Sequence, residues 1–152
     1  MKIILQRVNQ AAVSVDGNEV GRIGAGYLLL LGVGEGDSKE QVDKLLTKIA
    51  KLRIFQDENG KTNFDINQIS QANGEFGGEV LVISQFTLYA DCRKGNRPSF
   101  VNAANPKLAE ELYEYFVEQA KPLFRKVEKG VFGAYMQVSL VNDGPFTLEL
   151  EG

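Results

Sequence analysis

Glu79-Val80-Leu81-Val82-Ile83-Ser84-Gln85-Phe86-Thr87-Leu88-Tyr89 is the most strand-like stretch of the chain. Its first half is continuously apolar, the mark of a strand covered on both faces and so central in a sheet. Side chains alternate across a strand. Read as one strand, the segment puts Gln85, Thr87 and Tyr89 on one face and Ser84, Phe86 and Leu88 on the other.

Toward the N-terminus, residues 61–78 are polar and rich in Asn, Gln and Gly, and read as loop with at most short elements. Asp57-Glu58-Asn59-Gly60 is a turn after a short strand, Arg53 to Phe55. Val42, Leu45, Leu46, Ile49 and Leu52 recur at helical spacing. Asp37 or Ser38 caps that helix, with Glu40 or Gln41 completing a capping box. Before it lie strand-like runs at Lys2 to Val8, Ala12 to Val15, Glu19 to Ile23 and Gly26 to Val33. Asp16-Gly17-Asn18 is a hairpin turn between the second and third.

Toward the C-terminus, a charged loop spans Ala90 to Phe100. Asn105 caps a second helix with Pro106 at its first position. Leu108, Leu112, Tyr115 and Phe116 form its apolar stripe, and Pro122 ends it. Strands follow at Ala134 to Val141 and Phe146 to Glu151. The order predicts one α+β domain over residues 1–152, with a curved, largely antiparallel, barrel-like sheet and two main helices.

Composition narrows the chemistry. The chain has 152 residues, 43% apolar and 24% charged, which suits a globular domain with a real core. It has no histidine and a single cysteine, Cys92. Ser-His-Asp and Cys-His catalysis are thereby excluded, and no metal site is expected. A lone cysteine and an opening without a signal-peptide pattern predict a cytoplasmic protein. No apolar run reaches the roughly 18 residues of a membrane span. The net charge of −3 argues against a DNA-duplex binder, which needs a broadly basic face.

Two segments concentrate polar groups without a base that titrates near neutrality: Ser84 to Tyr89 and Asn142-Asp143-Gly144-Pro145-Phe146-Thr147. Each has an ordinary reading and a functional one. Thr87 suits any strand, yet it stands with Ser84 and Gln85 where a strand meets a loop, a common place for sites. Gly144-Pro145 is a plain hairpin turn, or a rigid corner whose carbonyls hold an ammonium group. Asp91 to Phe100 is a solvated charged loop, or a phosphate grip using Arg93, Lys94 and Arg97. Phe132-Gly133-Ala134-Tyr135-Met136 is core, or the wall of a flat pocket for a base. Arg7 is a surface cation, or a pin for neighbouring main chain.

Together these segments resemble the D-aminoacyl-tRNA deacylase family over essentially the whole chain. The likeness is carried by Gln6-Arg7-Val8, by Ser84 to Asp91, by Lys94-Gly95-Asn96-Arg97-Pro98-Ser99-Phe100, and by Asn142 to Pro145 with Thr147. It implies a homodimer acting on the acceptor end of aminoacyl-tRNA, with no cofactor. Ser84, Gln85, Phe86 and Thr87 would surround the scissile ester. Phe132, Ala134 and Met136 would receive the terminal adenine. Gly144-Pro145 would be cis, fixed by Arg7, and its corner would enter the partner's site and reject L-aminoacyl groups. The products would be a free D-amino acid and intact tRNA, with glycyl-tRNA(Ala) a further substrate and the RNA assisting hydrolysis. Phe146 departs from the smaller aliphatic residue more usual there, and the polar stretch from about Ile66 to Phe76 is longer than is typical. The competing classes are an RNA-binding module without catalysis and a hydrolase of free amino-acid esters or peptides.

Overall fold

The computed structural model describes residues Met1–Gly152. Its centre is an unusually long strand, β1 (Lys2–Val15), which carries a partner on each edge. Along one edge run β3 (Gly26–Gly32), opposite Lys2 to Val8, and β2 (Asn18–Ile23), opposite Ala11 to Val15, both antiparallel. Along the other edge runs β8 (Met136–Glu151), also antiparallel. The sheet then turns parallel, as β3 pairs with β6 (Glu79–Ser84) and β6 with β7 (Lys126–Lys129). Lys126 Nζ donates to the Arg22 carbonyl at 2.7 Å, so β7 comes round to β2 and the mixed sheet nearly closes into a barrel. A small separate ribbon, β4 (Phe55–Gln56) with β5 (Thr62–Phe64), flanks the 57–60 turn.

Two helices cover one face. α1 (Lys39–Ala50) opens on the Ser38–Gln41 capping box, and α2 (Pro106–Ala120) opens with the Asn105 side chain accepting from the Leu108 amide at 3.1 Å. Strand alternation then divides the core in two. Ile3, Leu5, Tyr27, Leu29, Leu31, Val80 and Val82 face the helices and meet Val42, Leu45, Ile49, Leu112 and Phe116. Ala11, Val13, Ile23, Leu28, Leu81 and Ile83 fill the barrel. Full burial of a side chain such as Leu29 contributes about 1.5–3 kcal/mol. No helix is long and apolar enough to cross a membrane.

Three local expectations are corrected. The strand from Glu79 stops at Ser84, and Phe86–Tyr89 coils into a 3-10 turn. β3 itself ends at Gly32, so no partner continues the ladder. Gly32 and Gly34 let the turn fold back: a Cβ on Gly32 would stand 3.0 Å from the Gln85 oxygen, and one on Gly34 would strike the Tyr89 ring. The two runs expected near the N-terminus are one strand, β1. The two expected near the C-terminus are likewise one, β8, because both halves pair with the same neighbour.

Candidate active site

The 3-10 turn after β6 forms one wall of a cavity of about 470 Å³. Ser84, Gln85 and Phe86 stand on this wall, and Phe132, Ala134 and Met136 stand on another. The rest of the lining comes mainly from the end of β3 and the small residues Ala103, Ala104 and Ala109 around the start of α2. The six are therefore together despite lying about a third of the chain apart. The alanines around Asn105 were not singled out by sequence. Their signal is size alone, since small side chains before a capped helix leave space.

The walls are anchored from behind. The Gln85 amide donates to the Leu31 carbonyl at 2.8 Å, and the turn closes with Leu88 N to Gln85 O at 3.3 Å and Ala90 N to Thr87 O at 3.0 Å. The amides of Phe86 and Thr87 open the turn, ahead of its own hydrogen-bond ladder. Phe132 packs against Tyr113 with ring centres 5.9 Å apart. The Tyr113 hydroxyl bridges the carbonyls of Val82 at 2.9 Å and Gly130 at 3.3 Å. Burial, the largest influence on that phenol, pushes its pKa up and keeps it a donor.

No carboxylate, amine, guanidinium or thiol lines the cavity. Its polar side chains are Ser84, Gln85 and the phenol of Tyr135. Gln85 and Thr87 do meet, Gln85 Nε2 donating to Thr87 Oγ1 at 2.5 Å, though they sit on a turn rather than on one strand face. Thr87 is exposed, next to the cavity in sequence but outside its lining. Nearby, burial first and then the Asp37 carboxylate push the Tyr89 phenol up to about 12. No group of three or more His, Cys, Asp or Glu stands close enough to hold a metal ion.

Arg7, Gly144 and Pro145 form a second constellation that does not line this cavity. Between the pairs Gln6↔Thr147 and Val8↔Asn142, one residue of β1, Arg7, faces four of β8, Asp143 to Phe146. The four bulge outward as an exposed corner at Gly144-Pro145, whose peptide bond is cis. Buried Arg7 holds its base. Nε donates to the Asp143 carbonyl at 3.0 Å and pairs with the Asp143 carboxylate at 3.0 Å, while Nη1 donates to the Ile54 carbonyl. The guanidinium lies 4.8 Å from the Phe146 ring centre and 5.8 Å from that of Phe55. Asn142 staples the two ends of the bulge: its Oδ1 accepts from Phe146 N at 2.7 Å, and its Nδ2 donates to Thr147 Oγ1 at 3.1 Å. Gly144 has φ +136°, a conformation costly to any other residue.

Residues 4–151 match the family model described as D-Tyr-tRNA(Tyr) deacylase. The chain is 54% identical over 151 residues to the D-aminoacyl-tRNA deacylase of Thermosipho africanus, covering 99% of this chain and 97% of that one. It is equally identical to the enzyme of the same name from Desulfatibacillum aliphaticivorans, covering 99% of each. Among solved structures, it resembles a c-Myc DNA Unwinding Element Binding Protein with a TM-score of 0.88 at 39% identity, covering 100% of this chain and 99% of that one. A probable eukaryotic D-amino acid tRNA deacylase shares the fold, with a TM-score of 0.71 at 16% identity over 98% and 97% of the two chains.

Proposed function

The chain belongs to the D-Tyr-tRNA(Tyr) deacylase family, and from that premise we propose that it hydrolyses the ester bond of D-aminoacyl-tRNA, releasing a free D-amino acid and intact tRNA. The observation that carries the mechanism is the cavity wall, which offers amides and hydroxyls and no acid or base that titrates near neutrality.

An aminoacyl ester is already activated, so positioning and oxyanion stabilisation suffice. The ester carbonyl lies over the start of the 3-10 turn, where the amides of Phe86 and Thr87 receive its developing negative charge. Ser84 and Gln85 orient the attacking water. Water oxygen bonds to the carbonyl carbon, the bond to the ribose oxygen breaks, and the proton released passes to that leaving oxygen through the neighbouring ribose hydroxyl. Phe132, Ala134 and Met136 hold the terminal adenine against a flat apolar wall.

Handedness is read by the Gly144-Pro145 corner of a second copy of the chain. β8 pairs with β1 on one edge only, and its other edge, unpaired on both sides of the bulge at Asp143 to Phe146, favours a partner, which supports a homodimer. The corner's carbonyls grip the substrate ammonium. With ammonium and ester fixed, an L side chain collides with Pro145 and a D side chain points away. Glycine has no side chain to collide, so glycyl-tRNA(Ala) is a substrate. Each tenfold of discrimination requires about 1.4 kcal/mol of differential transition-state stabilisation. Such a reaction belongs to the cytoplasm, where translation supplies the substrate.

A second reading has the name of one similar structure behind it, a DNA-element-binding protein. It is binding without hydrolysis, and the net charge of −3 weighs against it on duplex DNA. One assay separates the readings. The protein is incubated with D-tyrosyl-tRNA, L-tyrosyl-tRNA, glycyl-tRNA(Ala) and D-tyrosine methyl ester, and free amino acid is measured. Release from the D- and glycyl-tRNAs alone is expected. Binding with no release supports the second reading, and release from the methyl ester at a similar rate makes the protein a simple esterase.

A further inference from the structure

The reaction above engages the aminoacyl group and its adenosine, and leaves one built feature unused. Between Asp91 and Ser99 the chain closes into a small loop, with Asp91 N donating to Ser99 O at 2.7 Å and Ser99 N to Asp91 O at 3.0 Å. Arg93, Lys94 and Arg97 fall within it, three cations in a chain of net charge −3. We propose that this loop grips the sugar–phosphate backbone of the RNA strand that carries the ester. The identity of that RNA rests on the deacylase reading.

Four observations converge. The loop is preformed. Arg93 donates from Nε to Asp91 Oδ1 at 2.8 Å, from Nη2 to Oδ2 at 2.6 Å, and from its amide to Oδ1 at 3.0 Å. This fixes the base of the loop without using the other two cations. Lys94 and Arg97 are exposed and take part in none of the chain's ion pairs. Their charge is therefore available to an incoming anion, and a guanidinium fork suits phosphate oxygens. The surface is also concave. Asp91, Arg93, Lys94 and Ser99 line a hollow of about 520 Å³ with no apolar side chain. Asp91 and Arg93 also line a neighbouring hollow of about 490 Å³ that includes Lys2 and Asn102. The neighbouring hollow is half apolar, with Leu88, Tyr89, Ala90 and Cys92 in its lining, but the first, lined by charged and polar side chains alone, fits a hydrated backbone better than a folded protein partner, whose interfaces carry apolar anchors.

The fourth observation is position. Phe100, the first residue past the loop's closing pair, sets its ring edge-on to Phe86 with centres 5.0 Å apart. Phe86 lines the cavity that receives the ester. The loop is thus joined to the cavity wall through Phe100 and Phe86. Gly95, at φ +66°, puts a residue without a side chain between Lys94 and Arg97, with open space around it.

The test is the double variant Lys94→Ala/Arg97→Ala, with an unchanged melting temperature and oligomeric state as controls. Binding of deacylated tRNA is titrated across salt concentrations, and kcat and KM are measured for D-tyrosyl-tRNA and for 3′-D-tyrosyl-adenosine, which has no phosphate. Two lost contacts make the log–log salt slope shallower by about 1.4. At moderate salt KM for the tRNA substrate rises about tenfold or more, kcat stays within about twofold, and the adenosine ester is unaffected. An unchanged slope and KM overturns the proposal. So does an equal loss on the adenosine ester, which makes the loop part of the catalytic cavity, or an altered oligomeric state, which makes it a subunit contact. If the wild-type protein hydrolyses neither ester, the deacylase reading has failed, and the salt slope for tRNA binding still decides the present inference.

Discussion

Arg7 Nε stands 3.0 Å from both the main-chain oxygen and the carboxylate of Asp143, from a position on β1 where the facing strand leaves the ladder. One buried side chain therefore ties the base of the exposed corner to β1, and through the Ile54 carbonyl to the segment before β4.

Replacing Arg7 with Ala removes that tie and leaves the buried Ile54 carbonyl without its donor. An unsatisfied buried polar group costs about 1–3 kcal/mol, and the lost packing against Phe55 and Phe146 adds to it. A total of about 2–4 kcal/mol is expected by urea denaturation, with at least tenfold lower deacylation of D-tyrosyl-tRNA. Unaltered stability and activity together refute the role given to Arg7.

Gly144→Ala puts a methyl group 3.1 Å from both Arg7 Nη2 and the Phe146 amide, at a φ of +136°. The strain is of order 1–3 kcal/mol and falls on the corner itself. The variant is expected to fold and to lose most of its deacylase activity. Near-normal turnover of D-tyrosyl-tRNA counts against the corner as the ammonium grip.

Thr87→Ala should keep most of its activity. Thr87 Oγ1 is exposed, and its side-chain partner is the Gln85 amide, which cannot act as a base. Losing one such hydrogen bond costs about 0.5–1.5 kcal/mol, at most about tenfold in rate. Single-turnover kinetics showing a loss beyond a thousandfold, in a protein that still melts normally, would make Thr87 a nucleophile.

The pH–rate profile should lack a sigmoidal step near 6.5, because the chain has no histidine and its cavity no carboxylate. Three phenols move further from that range: burial raises Tyr27 and Tyr113, and Tyr89 lies at about 12. A step in kcat between pH 6 and 8 that does not follow the substrate's own ammonium group points to a base that the cavity described above does not contain.

Asp91 is held by its side-chain hydrogen bonds to Arg93 at about 2, below its usual 3.8. A depressed carboxyl favours the folded loop when ionised, so the closed loop is complete above about pH 4. It loses this support as the pH falls through about 2. Carboxyl-carbon NMR should show Asp91 titrating well below the usual aspartate value. An ordinary midpoint means that Arg93 is not held as described.

The local signals that proved readable were those with a mechanism within a few residues. Ser38 with Gln41, Asn105 with Pro106, and the 57–60 turn each act where the sequence puts them. The continuous apolar run of β6 gives its interior position, between β3 and β7. What escaped notice depends on distant partners. Residues 85–89 have the composition of a strand, yet β3 ends beside them and two glycines far back in the chain leave room to coil. The parallel pairing of β3, β6 and β7 and the union of the last two strand-like runs into β8 likewise arise from neighbours, not from local propensity. Of the site, the Ser84 to Phe86 and Phe132 to Met136 segments are legible from residue type and position as well as from the resemblance, and they do meet. The alanines completing it carry no chemical signature, and the separation of Arg7, Gly144 and Pro145 from that cavity within one chain has none either.

The bulge in β8 has one more consequence. Pairing with β1 resumes on both sides of Asp143 to Phe146, so the detour is an excursion and not a terminus. Its contents can be rewritten in evolution, or by exchange between relatives, while the barrel keeps its alignment. The tip at Gly144-Pro145 can therefore change without shifting the strand register on either side, while Asp143 and Phe146 remain tied to the body of the fold through Arg7 and the core.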